Sequence, residues 1–197
     1  MDTAIRYRVA VTESRRLTQE DWARAALDAI PIGGIDGVSV EGLARQLRVT
    51  KGSFYWHFAD RTALIVAALE LWERLGTVEV IDHLRTLPDP AHRLRELFKL
   101  SFQDDVDGPI DAALIARIDD PTVGPVVRRV TRLRIDFLEE AYRDLGLSPS
   151  KAATRARITY CTYVGHCQVR RAVPQDPVLG SPTSGYLRQL LGTLVES

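Results

Sequence analysis

The chain has 197 residues, of which 45% are hydrophobic and 26% charged, and 26 Lys and Arg residues balance 26 Asp and Glu residues. This composition is typical of a globular protein and excludes a disordered chain, a fibrous repeat and a polybasic nucleic-acid binder. The charge is unevenly distributed: residues 1–61 carry 9 basic and 8 acidic side chains, residues 62–127 carry 6 and 12, and residues 128–197 carry 11 and 6. Partners must therefore be inferred from the local charge of each element.

Targeting segments and cysteine cross-links are not expected from this sequence. The first residues lack the apolar core of a signal peptide, and no apolar run reaches the ~20 residues of a membrane span. We therefore expect a cytoplasmic protein. Cys161 and Cys167 lie six residues apart and cannot bridge within one helix. We expect two small buried residues, with an intersubunit disulfide as the alternative.

Apolar spacing and capping residues predict an all-α protein of about nine helices. The first helix begins near Thr18, which forms a capping box with Asp21, and is stopped by Pro31 and Gly33-Gly34. Three more follow in the first half of the chain. They cover Val40–Leu47 after the cap Ser39, Lys51–Phe58 after the cap Thr50, and a longer helix from the cap Asp60 to Leu75.

Five further helices are predicted after Pro88 and Pro90. They cover residues 91–106, 112–118, 130–145, 150–173 and 184–194. Between the first two of these lies an acidic stretch, which we expect to be a solvated loop, with metal binding as the alternative. Its acidic residues are Asp104, Asp105, Asp107 and Asp111.

The segment most informative about function is residues 38–64, VSVEGLARQLRVTKGSFYWHFADRTAL. Two short helices joined by a turn of three or four residues, with apolar Val49 in the turn, have helix-turn-helix spacing. In the second helix Phe54 and Phe58 are placed to face inward. The three residues between them must then point partly outward: Tyr55, Trp56 and His57.

An exposed aromatic trio beside Lys51 and Ser53 suits contact with a DNA backbone. Thr50 and the free N–H groups of the helix N-terminus can donate to phosphate, and the helix dipole favours a negative charge there. Lys51 can reach either a phosphate or a guanine edge. Helical packing alone accounts for any single piece of this pattern, but it does not readily account for the turn spacing and the aromatic run together.

Residues 50–58, TKGSFYWHF, followed by 60–64, DRTAL, resemble the DNA-binding domain of the tetracycline-repressor (TetR) family. The resemblance is specific over about residues 17–75 and only architectural beyond. It implies that residues 51–58 contain the recognition helix and that Gly52 keeps the backbone close to DNA. By the same resemblance the DNA contacts are Ser39, Thr50, Lys51, Gly52, Ser53, Tyr55, Trp56, His57 and Arg61.

The sequence departs from the family pattern in the turn, where Arg48 stands at a position that commonly holds glycine. A left-handed backbone at a residue with a side chain costs about 1 kcal/mol, which is tolerable. Arg48 is also placed to add a phosphate contact. The second departure is Pro31 with Gly33-Gly34, which replace the usual polar loop after the first helix.

The resemblance also implies a domain organisation. Residues 1–16 form an N-terminal arm, residues 17–62 the helix-turn-helix domain, and residues 63–197 a helical ligand-binding and dimerisation domain. In the arm, Arg6, Arg8, Arg15 and Arg16 either follow the DNA backbone or belong to a solvated leader.

The last two long helices, about 150–173 and 184–195, correspond to the family's homodimer interface, with intramolecular packing as the alternative. Tyr163, His166 and Cys167 in the first of them suit either a ligand rim or dimer packing, and we favour packing. The large residues that either line the ligand chamber or are simply core are Trp72, His83, Phe98, Phe102, Ile115, Phe137 and Tyr142.

These features predict a homodimeric repressor that releases its double-stranded DNA operator when a small-molecule effector binds. An activator of the same fold and an α-helical carrier without DNA binding are the alternatives. No phosphate loop, nucleotide fingerprint or zinc-ligand spacing is present, and no nucleophile with its base stands out. We therefore expect neither a cofactor nor an enzymatic activity.

Overall fold

The structure is a computed structural model that describes residues 17–103, 108–179 and 185–194. These residues form ten α-helices and no strand, so the all-α prediction is confirmed for the described part of the chain. The predicted arm and Asp104, Asp105 and Asp107 lie outside it. The helices are α1 (Gln19–Gly33), α2 (Val40–Gln46), α3 (Lys51–Phe54), α4 (Arg61–Glu73), α5 (Glu79–Arg85), α6 (Pro90–Phe98), α7 (Gly108–Ile115), α8 (Val123–Asp144), α9 (Pro149–Ala172) and α10 (Gly185–Leu194).

Three of the predicted helix starts have the expected side-chain caps. Thr18 and Asp21 form the capping box of α1, Ser39 accepts from the Gly42 N–H, and Asp60 accepts from the Ala63 N–H. Thr50 precedes α3 in extended backbone, but its side chain makes no capping hydrogen bond. The local capping signals therefore place these helices correctly, except for the bond expected at Thr50.

Several helix bounds differ from the prediction. Helix α1 continues through Pro31, whose missing N–H affects only its last turn, and gives way at Gly34, which has φ 64°. Helix α3 has a single turn instead of two, and residues 55–57 form a turn. Helix α8 starts seven residues earlier than predicted, at Val123, where the Asp120 carboxylate accepts from the Val123 N–H at 3.1 Å.

The predicted end of a helix at Leu75 is wrong, because the chain stays helical to Arg85. Helix α4 passes through a π-helical turn, Arg74–Val78, directly into α5. A π-helical turn widens the helix by one residue, and such turns are frequent at functional sites. A second π-helical turn, Lys99–Gln103, extends α6.

One hydrophobic core joins the helix-turn-helix to the C-terminal helices. It contains buried residues from α1, α2, α3, α4, α7 and α8, so helix α4 belongs to both halves of the molecule. Three smaller clusters lie among α5, α6, α8, α9 and α10. Within the described residues no helix is long and apolar enough to cross a membrane.

Candidate functional site

The turn between α2 and α3 is built by local backbone hydrogen bonds. The Val49 N–H donates to the Ala44 carbonyl at 2.9 Å, and the half-buried Val49 side chain packs against the core. Arg48 has φ 57°, which is the left-handed backbone conformation that the sequence analysis considered for this turn position. Its exposed side chain points away from the core. The turn therefore fixes the angle between α2 and α3 at a cost of about 1 kcal/mol of backbone strain.

Aromatic packing fixes which face of α3 is exposed. Phe54 is 1% exposed and packs edge-on against Trp22 of α1 at 5.4 Å, while its ring stacks on Phe58 at 5.6 Å. Tyr55 and Trp56 are 59% and 83% exposed. The prediction that Phe54 and Phe58 face inward and that the intervening aromatic residues face outward is confirmed.

Two long polar side chains from α1 and α4 donate hydrogen bonds to backbone carbonyls next to α2 and α3. Gln19, the first residue of α1, donates from Nε2 to the His57 carbonyl at 2.8 Å. Arg61 donates from Nε to the Val38 carbonyl at 2.6 Å and from its terminal nitrogen to the Ile35 carbonyl. Arg61, predicted to bind phosphate, thus holds the loop before α2. Gln19 was not predicted, since its partner is 38 residues away in sequence.

The polar groups at the N-terminus of α3 are accessible. Lys51 forms an exposed ion pair with Glu41 of α2. Their hydrogen bond raises the pKa of Lys51 and lowers that of Glu41. A Cβ added at the exposed Gly52 would meet only Thr50 Oγ1, at 3.7 Å. The chain itself therefore has room for a side chain at Gly52.

The predicted DNA contacts lie together on one helix-turn-helix. Eight of them fall within residues 50–61, and Ser39 caps α2, which packs against α3. Arg45, not predicted as a contact, adds a further exposed cation on α2. Ser39, Thr50, Lys51, Gly52, Tyr55 and Trp56 are exposed, and Ser53, His57 and Arg61 are half-buried.

The predicted ligand-lining residues are distributed over several hydrophobic clusters. His83 is exposed on α5, and Ile115 is half-buried on the main core. Tyr142 is 1% exposed, and its hydroxyl donates to the Leu194 carbonyl at 2.8 Å. The others are buried in three different clusters: Trp72 in the main core, Phe137 beside α5, and Phe98 and Phe102 beside α10.

Asp111, expected in a solvated acidic loop, is instead fully buried in α7. Its carboxylate accepts from Trp72 Nε1 at 2.8 Å, from the Tyr163 hydroxyl at 2.8 Å and from the Arg134 guanidinium. The expectation of a solvated Asp111 is wrong, because its charge is neutralised by partners that lie far away in sequence. These four residues are called the buried polar network below.

Arg134 ties this network to the π-helical turn after α4. Its Nε donates to Thr77 Oγ1 at 2.9 Å, and a terminal nitrogen donates to the Gly76 carbonyl at 3.3 Å. Burial opposes the charge on Arg134, but attraction to Asp111 outweighs it and raises the pKa of the guanidinium. The ring of Trp72 lies 5.5 Å below the guanidinium carbon. The network therefore connects α4, the π-helical turn, α7, α8 and α9.

The two cysteines differ in environment. Cys167 is buried, and its burial, with the nearby negative charge of Asp111, raises the pKa of the thiol to about 12. Cys161 is exposed, so the expectation of two buried cysteines is wrong for this residue. Both are free thiols in the single chain.

A comparison with protein families matches the helix-turn-helix. Residues 24–68 fit the family described as "Bacterial regulatory proteins, tetR family". Over 47 residues the chain is 43% identical to the tetracycline repressor protein class A from transposon 1721 of Escherichia coli, covering 24% of this chain and 22% of that protein. Over 81 residues it is 31% identical to the HTH-type transcriptional regulator AcrR of Shigella flexneri, covering 41% of this chain and 38% of that protein.

The similarity to these two relatives therefore spans well under half the length of either. A comparison of folds reaches further. A TetR-family transcriptional regulator from Agrobacterium tumefaciens superimposes with a TM-score of 0.74 and 21% sequence identity, covering 90% of this chain and 97% of that one. At this identity the likeness establishes a common fold over nearly the whole chain.

Proposed function

We propose that this chain is a homodimeric, ligand-responsive transcriptional repressor of the TetR family. Residues 24–68 match that family's model, and the fold of nearly the whole chain is similar to that of a TetR-family regulator. In this proposal α3 enters the major groove of an operator, a second copy reads the other half-site, and a small molecule in the C-terminal domain releases the DNA. The protein acts in the cytoplasm, as a regulator and not as an enzyme.

The observation that carries the proposal is the outward face of α3 and the residues after it. Tyr55 and Trp56 are large and exposed, although the core beneath them is already filled by Phe54. Gly52 has space for a Cβ within the chain, which supports a close approach from outside as the reason for its small size. With Lys51 and Thr50 at the helix N-terminus, this face offers a cation, N–H donors and the Tyr55 hydroxyl to a phosphate backbone.

An exposed stripe on α9 supports the homodimer. Ile158, Cys161, Gly165 and Val169 recur at helical spacing and are exposed, with Ile158 at 49% and Val169 at 46%. We name these four residues the α9 stripe. Its apolar ends and small centre suit close packing against an identical helix of a second copy. A dimer is also what a helix-turn-helix needs to read two half-sites.

Helix α4 supports the proposed coupling between ligand and DNA. Its first residue, Arg61, holds the loop before α2, and Trp72 near its other end donates to Asp111 in the buried polar network. A shift in that network can thus move the helix-turn-helix through one rigid element. Only an effector that binds one of the two conformations more tightly will shift the equilibrium toward DNA release.

Selection of bound sequences from random double-stranded DNA tests the proposal. A homodimer is expected to enrich an inverted repeat whose half-site centres lie about one helical turn, ~34 Å, or a multiple of it apart. Enrichment of a single half-site contradicts the dimer, and no enrichment contradicts DNA recognition and favours the carrier. Whether the regulator represses or activates is then read from a reporter that carries the selected site. A reporter that rises with added protein identifies an activator.

A further inference from the structure

His166 in α9 is a buried side chain with an unused hydrogen-bonding nitrogen. The residue is 3% exposed, and its Nε2 has no hydrogen-bond partner among the described residues. Its Nδ1 has only a long contact, 3.4 Å, with the Tyr186 hydroxyl of α10. A buried polar atom without a partner is destabilising and calls for an explanation.

Among the described residues, two other buried side-chain nitrogens have no hydrogen-bond partner, Trp22 Nε1 and Arg93 Nε, and both have simpler surroundings. Trp22 lies in the packed core of the helix-turn-helix. The guanidinium of Arg93 is bound through its other two nitrogens, to the Asp144 carboxylate and the Leu87 carbonyl. His166 differs from both because it also lies in an aromatic cluster formed by three separate helical segments.

Two aromatic rings pack against the His166 imidazole. Phe102 packs edge-on against it at 5.1 Å, and Tyr186 stacks on it at 5.7 Å with an angle of 13° between the planes. Tyr163 packs edge-on against Phe102 at 5.7 Å. Tyr186 is only half-buried. The cluster therefore already accommodates a phenol ring on the imidazole, supplied by the protein's own tyrosine.

The charged group next to the cluster on the side of Tyr163 is already neutralised. The hydroxyl of Tyr163 donates to Asp111, and that carboxylate is neutralised by Arg134. Burial lowers the pKa of His166 and so favours its neutral form. A charged ligand would have to enter without a counter-ion, which is strongly unfavourable in a buried site. These surroundings favour an uncharged ligand.

The free nitrogen also limits the polar group of the ligand. If Nδ1 accepts from the Tyr186 hydroxyl, Nε2 carries the proton and donates; in the other tautomer Nε2 accepts. A hydroxyl group is both donor and acceptor, so it can pair with Nε2 in either tautomer. The aromatic surroundings and this hydrogen-bonding requirement together favour a small phenol, in which a hydroxyl group is attached to an aromatic ring.

We propose that His166, Phe102, Tyr163 and Tyr186 form a binding site for a small uncharged phenol, whose hydroxyl pairs with His166 Nε2 and whose ring packs among the aromatic side chains. This inference rests on the proposed function in one respect, since it makes the phenol the effector. The site lies between α9 and α10, the helices of the proposed dimer interface. Occupation of the site therefore acts on the helices that set the distance between the two recognition helices.

Binding of 2-naphthol to the full chain, compared with naphthalene, tests the site without DNA. The two probes share a ring system and differ only in the hydroxyl. Equilibrium dialysis is expected to show about tenfold tighter binding of 2-naphthol, the effect of one buried hydrogen bond. His166→Leu should abolish this preference and leave naphthalene binding intact. Equal binding of both probes to the wild type, or no binding, overturns the site.

His92→Leu is the matched control, because His92 is exposed on α6 and belongs to none of the predicted sites. It should keep the full preference for 2-naphthol, and a loss there as large as in His166→Leu overturns the assignment. A second measurement uses only the wild-type protein and therefore does not depend on whether a variant folds. In wild type with 15N-labelled histidine, 2-naphthol should shift the ring nitrogens of one of the four histidines, and naphthalene should not. Shifts that are the same with both probes contradict the hydrogen bond.

Addition of 2-naphthol to the complex with selected DNA separates the two proposals. Release of DNA by wild type but not by His166→Leu supports the phenol as effector. If the preference for 2-naphthol is present but DNA is not bound at all, the proposed function fails and the site stands. If DNA is bound and released by neither probe while the preference is present, the effector role is overturned and the binding site stands.

Discussion

At Gly52 the fold has space for a Cβ, whereas the proposed DNA contact requires that none be present. The nearest atom to an added Cβ is Thr50 Oγ1, at 3.7 Å, an ordinary contact distance. Gly52→Ala should therefore leave the free energy of unfolding unchanged or raise it, because alanine is the better helix former. Operator affinity should fall about tenfold as the backbone is held away from the phosphates.

Urea unfolding and fluorescence anisotropy with labelled operator measure the two effects of Gly52→Ala. Gly33→Ala is the matched control, since Gly33 ends α1, outside the predicted DNA contacts and the proposed dimer interface, and also has open space around a Cβ. It should leave operator affinity unchanged. Unchanged operator affinity in Gly52→Ala would show that no surface approaches this residue closely.

Asp111 is a fully buried carboxylate whose charge is balanced by the Arg134 guanidinium. Asp111→Asn would leave the buried charge of Arg134 without its counter-ion, and we expect the free energy of unfolding to fall by about 3–5 kcal/mol. The double variant with Arg134→Met should be less destabilised than the sum of the single variants, because the two side chains interact directly.

The exposed pair Asp36–Arg117 provides the control for the buried pair. Its side chains are 76% and 42% exposed, so Asp36→Asn should cost no more than about 1 kcal/mol. Both variants are measured by urea unfolding under identical conditions. A cost for Asp111→Asn no larger than that for Asp36→Asn would contradict the structural role of the network.

At the scale of whole helices, α9 provides the clearest test of assembly. A Cβ at Gly165 would meet no atom within 4 Å in the same chain. Gly165→Leu should therefore fold normally but interfere with a second copy packed on the α9 stripe. We expect its dimer dissociation constant to rise by at least about tenfold. Sedimentation velocity over a range of protein concentrations measures this change.

Ala116→Leu is the control for this enlargement, because Ala116 is exposed outside α9 and α10. It should leave the dimer unaffected. Dimerisation of Gly165→Leu with the wild-type dissociation constant would place the interface elsewhere on the molecule.

Local signals allowed most helices and the outward face of α3 to be predicted from sequence. The cap and its partner at Thr18 and Asp21 lie three residues apart, and Phe54 and Phe58 four apart, so helical geometry alone relates them. Asp111 could not be placed in the same way, because Trp72 and Arg134 lie 39 and 23 residues away from it in sequence. A lone Asp followed by the apolar run Ala112–Ile115 was its one sequence signal.

The π-helical turn after α4 was likewise beyond sequence reasoning. Its residues are RLGTV, and the apolar spacing that predicts the helix from Asp60 stops within them, at Leu75. The helix continues because Arg134, from a distant part of the chain, donates to the Gly76 carbonyl and to Thr77 Oγ1. Tertiary contacts thus override the local signal, and the helix that connects the two halves is longer than expected.

For the molecule as a whole, His166 should make stability depend on pH. Burial lowers its pKa below the ordinary 6.5, so the unfolded chain takes up a proton at a higher pH than the folded chain does. The contribution of a neutral His166 is therefore complete above pH 6.5 and is lost as the pH falls from 6.5 toward the folded-state pKa. Within that window the slope reaches at most about 1.4 kcal/mol per pH unit.

Urea unfolding from about pH 7.5 to about pH 5, a range that includes the ordinary histidine pKa, measures this effect. His166→Leu should flatten the profile relative to wild type, and the exposed-site variant His83→Leu serves as the comparison. Identical pH profiles for wild type and His166→Leu would contradict the burial of a neutral imidazole.

Operator affinity in a Tyr55→Ala, His57→Ala double variant tests the proposed recognition of DNA by α3 and the residues after it. Tyr55 is 59% exposed, and both residues are among the predicted phosphate contacts. Anisotropy titration at one fixed salt concentration should show binding at least about a hundredfold weaker than wild type, as expected for the loss of two contacts, while the circular dichroism spectrum is unchanged. Operator affinity equal to that of the wild type would contradict the account.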